Sequence, residues 1–340
     1  MHPTEPLSWP WPGVVKALLI ASSLLLAGWT LVPIEPHRAE FYALGTRIEV
    51  QIRDPEATAE SKAQVQAALR AVNTDFQHMH HDWHPWEPGA MADLNAGLQS
   101  GEWTLTTPDL IELTQASQRL ETSSGGHFNA AIGQLVSLWG FHTSDYPITA
   151  PPPEPDQINA WLTQAPSTQQ INVDGLKVQT DNASIQLDFS GLAKGLAVRK
   201  ACERLAEFGF TDALVNAGGD VMICGKTGTP WRVAIADPEG GVLTTLELAE
   251  PVAVFTSGNY YRYGEWNGER YAHILDPRTG RPVDDILQVS ILHPDPVLAD
   301  AAATALVVAG SEQWQQTAEQ MAVQRGIIID AEGNVVDYSN

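Results

Sequence analysis

Four side chains with different chemistry lie within one short segment, residues 273–280. They are the imidazole of His273, the carboxylate of Asp276, the guanidinium of Arg278 and the hydroxyl of Thr279. Asp-Pro and Thr-Gly pairs are typical of turns, so the segment is predicted to be a loop between two strands. A cluster of this composition suits an anionic ligand better than a purely structural role.

A second candidate is the pair Asp300 and Thr304, which lies in an alanine-rich stretch. Residues four apart share one face of a helix, so the two oxygen-bearing side chains are expected to project together. Oxygen is the ligand that Mg²⁺ prefers, and the small neighbours leave room for a ligand to approach. The alternative from the residues alone is an N-cap aspartate followed by an ordinary helix threonine.

A third candidate is the segment 188–195, predicted to be a strand end that runs into a helix. Backbone N–H groups at a helix start can hold an anion, and Lys194 adds a positive charge. Gly191 and Gly195 allow a ligand to come close, and Asp188 could bind a ribose or a ring nitrogen. The alternative is an ordinary capped turn between a strand and a helix.

Three further patterns are weaker. Residues 219–227 end in Gly-Lys-Thr, but one residue too many separates the glycines for a phosphate-binding loop. Ser257 lacks the Gly-x-Ser-x-Gly surroundings of a hydrolase nucleophile. A cluster of histidines suggests zinc, although a tetrahedral site normally uses well-spaced ligands; the cluster comprises His78, His80, His81 and His84.

The chain as a whole is acidic. It has 340 residues and a net charge of -22, with 44% hydrophobic and 18% charged residues. This composition is typical of a globular protein, and its acidity argues against nucleic acid as a partner. An anionic ligand would therefore need a local positive group, such as a helix N-terminus, a metal ion or a lysine.

The two cysteines, Cys202 and Cys224, are too few for a disulfide scaffold. Both are predicted to be small buried hydrophobic side chains. A single bridge between them stays open as an alternative in an oxidising compartment.

The N-terminus is predicted to direct export. Residues 17–34 carry no charge, are just long enough to span a membrane and follow Lys16. The segment 25–28 is similar to the start of a lipoprotein signal, but Trp29 stands where the lipidated cysteine belongs. Residues 1–36 are therefore predicted to be a signal anchor or signal peptide of a protein that is not a lipoprotein.

Hydrophobic periodicity predicts helices and strands that do not alternate strictly, which favours an α+β fold over a doubly wound sheet. A loop rich in Trp, Pro and Gly is expected at 81–95, and a Pro-rich surface insertion at 147–155. Helices are predicted at 57–81, 108–121, 124–141, 192–208, 300–308 and 314–325. Strands are predicted at 41–52, 172–187, 212–223, 231–236, 246–257, 270–275, 287–292 and 326–329.

Several of these segments, taken in order, resemble the flavin transferases of the ApbE family. The three candidate segments match the family's motifs, as do the Gly-Gly-Asp turn at 218–220 and Thr-Ser-Gly at 256–258. Residues 125–141 resemble the Gly-x-Phe-Asp segment and its Leu-Trp-Gly-Phe ending, with Asn129 in place of the usual Asp. Leu44 replaces the methionine of Met-Gly-Thr.

The resemblance implies one mixed α/β catalytic domain of T-fold-like type over residues 37–340. It implies that FAD is the substrate and that Mg²⁺ is held by Asp300 and Thr304, with a backbone carbonyl near Gly191. Trp83, in a lid formed by the 81–95 loop, is expected to stack on the isoalloxazine ring. The full set of implied FAD contacts is Leu44, Trp83, Phe128, Asn129, Ala130, Asp188, Lys194, His273 and Thr279.

The implied reaction moves FMN from FAD to a Thr or Ser hydroxyl of another protein and releases AMP. His273 and Asp276 are the candidates for removing the hydroxyl proton, and the sequence does not choose between them. Expected partners are flavin-bearing subunits of sodium-translocating NADH:quinone reductase or Rnf-type complexes, on the periplasmic side of a bacterial inner membrane. The alternatives are an Mg²⁺-dependent FAD pyrophosphatase and an exported FAD-binding protein without activity.

Overall fold

The computed structural model describes residues 35–340. Within that range the helices are α1 (Ala59–Asp82), α2 (Ala90–Ser100), α3 (Pro108–Ser123), α4 (Gly133–Leu138), α5 (Pro155–Gln164), α6 (Ala193–Glu207) and α7 (Pro296–Gln320). The strands are β1 (His37–Ala43), β2 (Thr46–Ile52), β3 (Thr104–Leu105), β4 (Asn172–Asp174), β5 (Lys177–Gln179), β6 (Ala213–Ala217), β7 (Asp220–Ile223), β8 (Trp231–Ala236), β9 (Val242–Leu248), β10 (Val252–Gly258), β11 (Tyr263–Trp266), β12 (Glu269–Ala272), β13 (Leu275–Asp276), β14 (Arg281–Pro282), β15 (Ile286–His293), β16 (Arg325–Asp330) and β17 (Val335–Ser339).

The central element is an eight-stranded sheet with the order β1-β2-β6-β7-β10-β15-β16-β17. Every neighbouring pair in this sheet is antiparallel. Helices and an antiparallel sheet of this kind make an α+β fold, as the sequence predicted.

Both faces of the sheet are covered. Successive side chains of a strand point to opposite faces, so alternate residues enter different clusters. On β10, Ala253 and Phe255 join the main core with α6 and α7, whereas Val254 joins the cluster around Trp231 of β8. The sheet therefore lies between a helical layer and the β8–β9 hairpin.

Two tight hairpins bring chain segments to one end of the sheet. The β1–β2 turn consists of Leu44 and Gly45, with φ values of 50° and 69°. The β6–β7 turn consists of Gly218 and Gly219, with φ values of 68° and 104°. Two consecutive residues with positive φ match the twist of antiparallel strands. The second turn places Asp220 directly at the start of β7.

Helix α7 begins at Pro296 and is capped by the side chain of Asp295, which accepts a hydrogen bond from the N–H of Val297 at 2.9 Å. Its first turns are alanine-rich and buried against β10 and β15. Gly310 has φ 69° and ψ 179° inside this element, and at this kink Asp285 accepts a hydrogen bond from the N–H of Ser311.

The predicted helix at 57–81 is confirmed by α1, but several other boundaries are wrong. The loop at 81–95 ends early because α2 starts at Ala90, and the helix at 124–141 shrinks to α4. The predicted helices at 300–308 and 314–325 lie on the two sides of the kink at Gly310 in α7, and the second ends at Gln320 rather than at residue 325. The sequence analysis missed α2, α5, β3, β11, β14 and β17, most of which are short or lie at the edges of sheets.

The two cysteines form the disulfide Cys202–Cys224, which joins α6 to the residue after β7. The preferred prediction of two unlinked buried side chains is therefore wrong, and the bridge that was left open is present. The predicted N-terminal segment at 1–36 falls almost wholly outside the described residues. Among residues 35–340, no helix combines the length and apolar character needed to cross a membrane.

Replacement of Gly310 by alanine is expected to lower the free energy of unfolding by about 2–3 kcal/mol, because the kink requires a backbone conformation that only glycine adopts easily. An added Cβ would also lie 2.7 Å from Oδ2 of Asp285. Urea unfolding would measure the loss. Gly228→Ala is the control, since its Cβ would meet no atom within 4 Å; equal midpoints for the two variants would contradict the prediction.

Candidate active site

The carboxylate of Asp300 lies on the first turns of α7 and is 3% exposed. Its Oδ2 accepts a hydrogen bond from the backbone N–H of Gly195, at the start of α6, at 2.9 Å. Because Asp295 is the N-cap of α7, Asp300 is not a capping residue. The alternative that Asp300 is only an N-cap residue is therefore wrong, and the burial of its carboxylate needs another explanation.

Thr304 lies one turn after Asp300 and faces Gly191 and Ser257. A Cβ built on Gly191 would lie 3.5 Å from Oγ1 of Thr304 and 3.1 Å from Cε2 of Phe128. The hydroxyls of Thr304 and Ser257 are 3.0 Å apart. The structure thus places Gly191 and Ser257 against Thr304, one turn after Asp300, and the sequence analysis gave Ser257 of β10 no role.

Lys194 lies between two carboxylates. Its Nζ is hydrogen-bonded to Asp220 and is 4.0 Å from Oδ1 of Asp300. Burial alone would lower the pKa of Lys194, but the charges of Asp220 and Asp300 outweigh this and raise it. For Asp300, burial and the charge of Asp220 outweigh the attraction of Lys194 and raise the pKa to about 7.

Asp220 is the principal site residue that the sequence analysis missed. Its Oδ1 also accepts a hydrogen bond from the N–H of Thr256 at 2.8 Å, so it joins β7 to β10. The sequence did contain a signal for Asp220, namely the Gly-Gly-Asp turn at 218–220. In the structure Asp220 is 4% exposed and stands directly after the β6–β7 turn.

Asp188 is buried at the end of the segment that precedes α6. Its carboxylate accepts hydrogen bonds from the N–H of Ser190 at 2.9 Å and from Nε2 of His142 at 3.2 Å. Burial would raise its pKa, but the bonds from His142 and Ser190 lower it below the ordinary value. The N–H of Asp188 donates to the carbonyl of Ala130 at 2.8 Å, which aligns the predicted 128–130 segment with Asp188.

The histidines of the α1 end make contacts with each other and with aromatic rings. His84 packs edge-on against Trp86, and Trp86 stacks on His142 with ring centres 5.1 Å apart. His80 accepts a hydrogen bond through Nδ1 from the N–H of Leu44 at 3.2 Å, beside the β1–β2 turn. Among residues 35–340, no three His, Cys, Asp or Glu side chains are grouped so as to hold a metal ion.

Trp83 does not lie where the sequence analysis expected it. It is the C-cap of α1, is 4% exposed and belongs to the main core, so its ring has no free face for a flavin. The lid prediction is corrected because the ring of Trp83 packs into the core at the end of α1, and only a short loop separates it from α2. The exposed ring in this loop is that of Trp86, which is 40% exposed.

Asn129 uses both ends of its side-chain amide within the protein. Its Nδ2 donates to the carbonyl of Pro166 at 2.9 Å, and its Oδ1 accepts from the N–H of Ala131 at 2.8 Å. An aspartate could not donate to Pro166. The amide therefore links the 128–131 segment to the end of α5, while Phe128 and Ala130 on either side are buried.

The two candidate bases in the 273–280 segment have different surroundings. His273 pairs through Nδ1 with the carbonyl of Arg262 at 3.0 Å, so this nitrogen carries the proton and Nε2 has the free lone pair. Burial, with the positive charges of Arg262 and Lys194, lowers the pKa of His273 to about 4. His273 is thus neutral at physiological pH.

Asp276 is occupied by Arg278. Its Oδ1 accepts from Nε of Arg278 at 2.9 Å and its Oδ2 from Nη2 at 3.0 Å, and the residue is 5% exposed. Arg278 also donates to Nε2 of His127 at 2.7 Å and to Gln313 of α7 at 3.2 Å. Asp276 therefore stabilises the β13–β14 turn, and Thr279 at that turn is exposed.

Comparison with known proteins identifies the family and the fold of this chain. The family model described as the ApbE family matches residues 44–328. The FAD:protein FMN transferase of Rhodobacter capsulatus is 39% identical over an alignment of 327 residues, which covers 94% of this chain and 60% of that protein. The FAD:protein FMN transferase of Vibrio cholerae serotype O1 is 28% identical over 329 residues, covering 94% of this chain and 95% of that protein.

A crystal structure of the ApbE protein from Thermotoga maritima superposes with a TM-score of 0.79 at 26% identity. The match covers 89% of this chain and 97% of that chain. The fold is therefore the mixed α/β fold of ApbE structures, and the chain belongs to the ApbE family. It spans about 60% of the length of the Rhodobacter relative.

The protonation of His273 can be tested by NMR on protein with ¹⁵N-labelled histidine, with His273→Gln used to assign the signal. We expect a neutral ring with its proton on Nδ1 at pH 6 and protonation only near pH 4. Between the unfolded value of 6.5 and the folded value, the unfolded chain binds more protons, so this residue lowers stability as the pH falls through that window. A midpoint near 6.5, or a proton on Nε2, would contradict the assignment.

Proposed function

We propose that this protein transfers FMN from FAD to a Thr or Ser hydroxyl of a target protein. The observation that carries the proposal is the buried Asp300 carboxylate, fixed by the N–H of Gly195, beside the Thr304 hydroxyl, Lys194 and the backbone of Gly191. The names of the curated relatives support the same activity.

The oxygen-rich donor set fits Mg²⁺. Asp300 and Thr304 would hold the ion with the backbone at Gly191, and the hydroxyl of Ser257 lies beside Thr304. One protein carboxylate with neutral oxygens suits an ion that completes its shell with substrate phosphates and water. When bound, Mg²⁺ supplies charge neutralisation for the pyrophosphate of FAD.

In the proposed reaction, His273 accepts the proton of the target hydroxyl at Nε2. The hydroxyl oxygen forms a bond to the FMN-side phosphorus, and the bond from that phosphorus to the bridging oxygen breaks. AMP leaves with the bridging oxygen, and FMN stays attached through a phosphoester. His273 suits this role because it is neutral and has Nε2 free, whereas both oxygens of Asp276 are bound by Arg278.

The pyrophosphatase alternative uses the same residues with water in place of the hydroxyl. The carrier alternative needs a flavin site but no buried Asp300 next to Thr304, so the observed pair favours an enzyme over a carrier. Flavin-bearing subunits of sodium-translocating NADH:quinone reductase or Rnf-type complexes stay our proposed targets.

We propose a periplasmic location, with the N-terminal segment as the export signal or anchor. The Cys202–Cys224 disulfide supports it, because such bonds persist in oxidising compartments.

The roles of the two candidate bases can be separated by single-turnover transfer. His273→Gln is expected to slow transfer by about 10²–10⁴-fold, because a positioned base contributes that much. Asp276→Asn is expected to lower thermal stability. The transfer rate of its folded fraction should stay within about tenfold of the wild-type rate, a much smaller effect than removal of a base. A larger rate loss in Asp276→Asn than in His273→Gln would reverse the assignment.

The metal and the reaction can be tested together by intact-mass analysis. Protein, FAD, Mg²⁺ and a flavin-bearing target subunit are expected to give a target that gains the mass of FMN, with release of AMP. EDTA and Asp300→Asn should each abolish the gain, the latter because it removes the only carboxylate charge of the proposed metal set. Free FMN and AMP without a mass gain would support the pyrophosphatase, and intact FAD would support the carrier.

A further inference from the structure

The proposed site is short of positive charge for a ligand with two phosphates. Lys194 is shared between the carboxylates of Asp220 and Asp300, so one ammonium faces two acidic groups. The whole chain carries a net charge of -22, which disfavours anionic ligands further. Lys194 is thus already engaged by protein carboxylates, so a second protein cation would assist the proposed Mg²⁺ in holding the phosphates.

Arg262 lies in the turn between β10 and β11 and is such a cation. Its Nη2 is 3.8 Å from the position of a Cβ on Gly45, and its Cζ is 5.9 Å from the ring centre of Tyr146. Its charge acts on both His273 and Lys194. The guanidinium therefore lies beside the β1–β2 turn, near enough for its charge to act on both His273 and Lys194.

The donors of this guanidinium are free among the described residues. Over residues 35–340, Arg262 has no ion pair with a carboxylate, and its polar contact is made by its backbone carbonyl with His273. The arginine of the neighbouring segment, Arg278, is instead hydrogen-bonded to Asp276, His127 and Gln313. A Cβ on Gly45 would lie 3.8 Å from Nη2 of Arg262, so glycine at this position keeps side-chain atoms away from the guanidinium.

The turn that carries Arg262 is held in place by two preceding side chains. Asn259 donates through Nδ2 to the carbonyls of Val283 and Ile286 at 2.9 and 3.0 Å. The hydroxyl of Tyr260 donates to Gln288 at 2.6 Å. Because both anchors precede Arg262 by two or three residues, its backbone is positioned before any ligand binds.

We propose that Arg262 binds phosphate oxygens of FAD and thereby positions the pyrophosphate between His273 and the Asp300–Thr304 pair. This inference rests on the proposed function for the identity of the ligand. The planar guanidinium suits two phosphate oxygens at once, which a lysine in the same place cannot match. The backbone carbonyl of Arg262 also accepts the hydrogen bond from Nδ1 of His273, so one turn would position both the phosphate and the base.

The test compares binding of FAD and of riboflavin, which has no phosphate, in EDTA-containing buffer so that FAD is not consumed. Arg262→Gln is expected to weaken FAD binding by at least about tenfold, the scale of a lost charge-assisted hydrogen bond, and to leave riboflavin binding unchanged. Arg262→Lys should fall between wild type and Arg262→Gln. Arg232→Gln on β8 makes the same charge change at an exposed position and should bind FAD as wild type does.

Circular dichroism and thermal melting of each variant establish that it is folded. Unchanged FAD affinity in Arg262→Gln, or an equal loss of FAD and riboflavin affinity, would overturn the inference. If wild-type protein binds FAD but transfers no FMN, the proposed function fails while the Arg262 comparison keeps its meaning. If wild type transfers FMN and Arg262→Gln does so with the same affinity and rate, this inference alone fails.

Discussion

The ammonium of Lys194, held between the carboxylates of Asp220 and Asp300, is the interaction on which the site depends. Two buried carboxylates this close are costly unless a cation and hydrogen bonds compensate them. Lys194 supplies the cation, and the N–H groups of Gly195 and Thr256 supply the hydrogen bonds. The three charged residues come from α6, β7 and α7, so their contact fixes where two helices and the sheet meet.

That meeting is possible because the residues at the contact are small. A Cβ on Gly195 would lie 2.3 Å from the carbonyl of Pro296, so only glycine lets α6 come this close to the start of α7. The fully buried alanines Ala301 and Ala302 let α7 lie close to the sheet. These small residues therefore allow both the close packing of the helices and the approach of a ligand.

The 273–280 segment divides its polar groups between two tasks. His273 is kept neutral because burial and the positive charges of Arg262 and Lys194 lower its pKa. Asp276 and Arg278 bind each other and tie the turn to α7 through Gln313. Within this segment, His273 is therefore suited to proton transfer, whereas the Asp276–Arg278 pair holds the segment in position.

The sequence by itself determined the features that depend on local geometry. Helical spacing brings Asp300 and Thr304 to one face, and the predicted strand-to-helix segment places Lys194 in the first turn of α6. Only the tertiary structure decided what those residues meet. Asp220 and Arg262 come from distant strands and turns, and Trp83 is buried because its ring packs into the main core at the end of α1. Spacing along the chain does not specify such contacts between segments far apart in sequence.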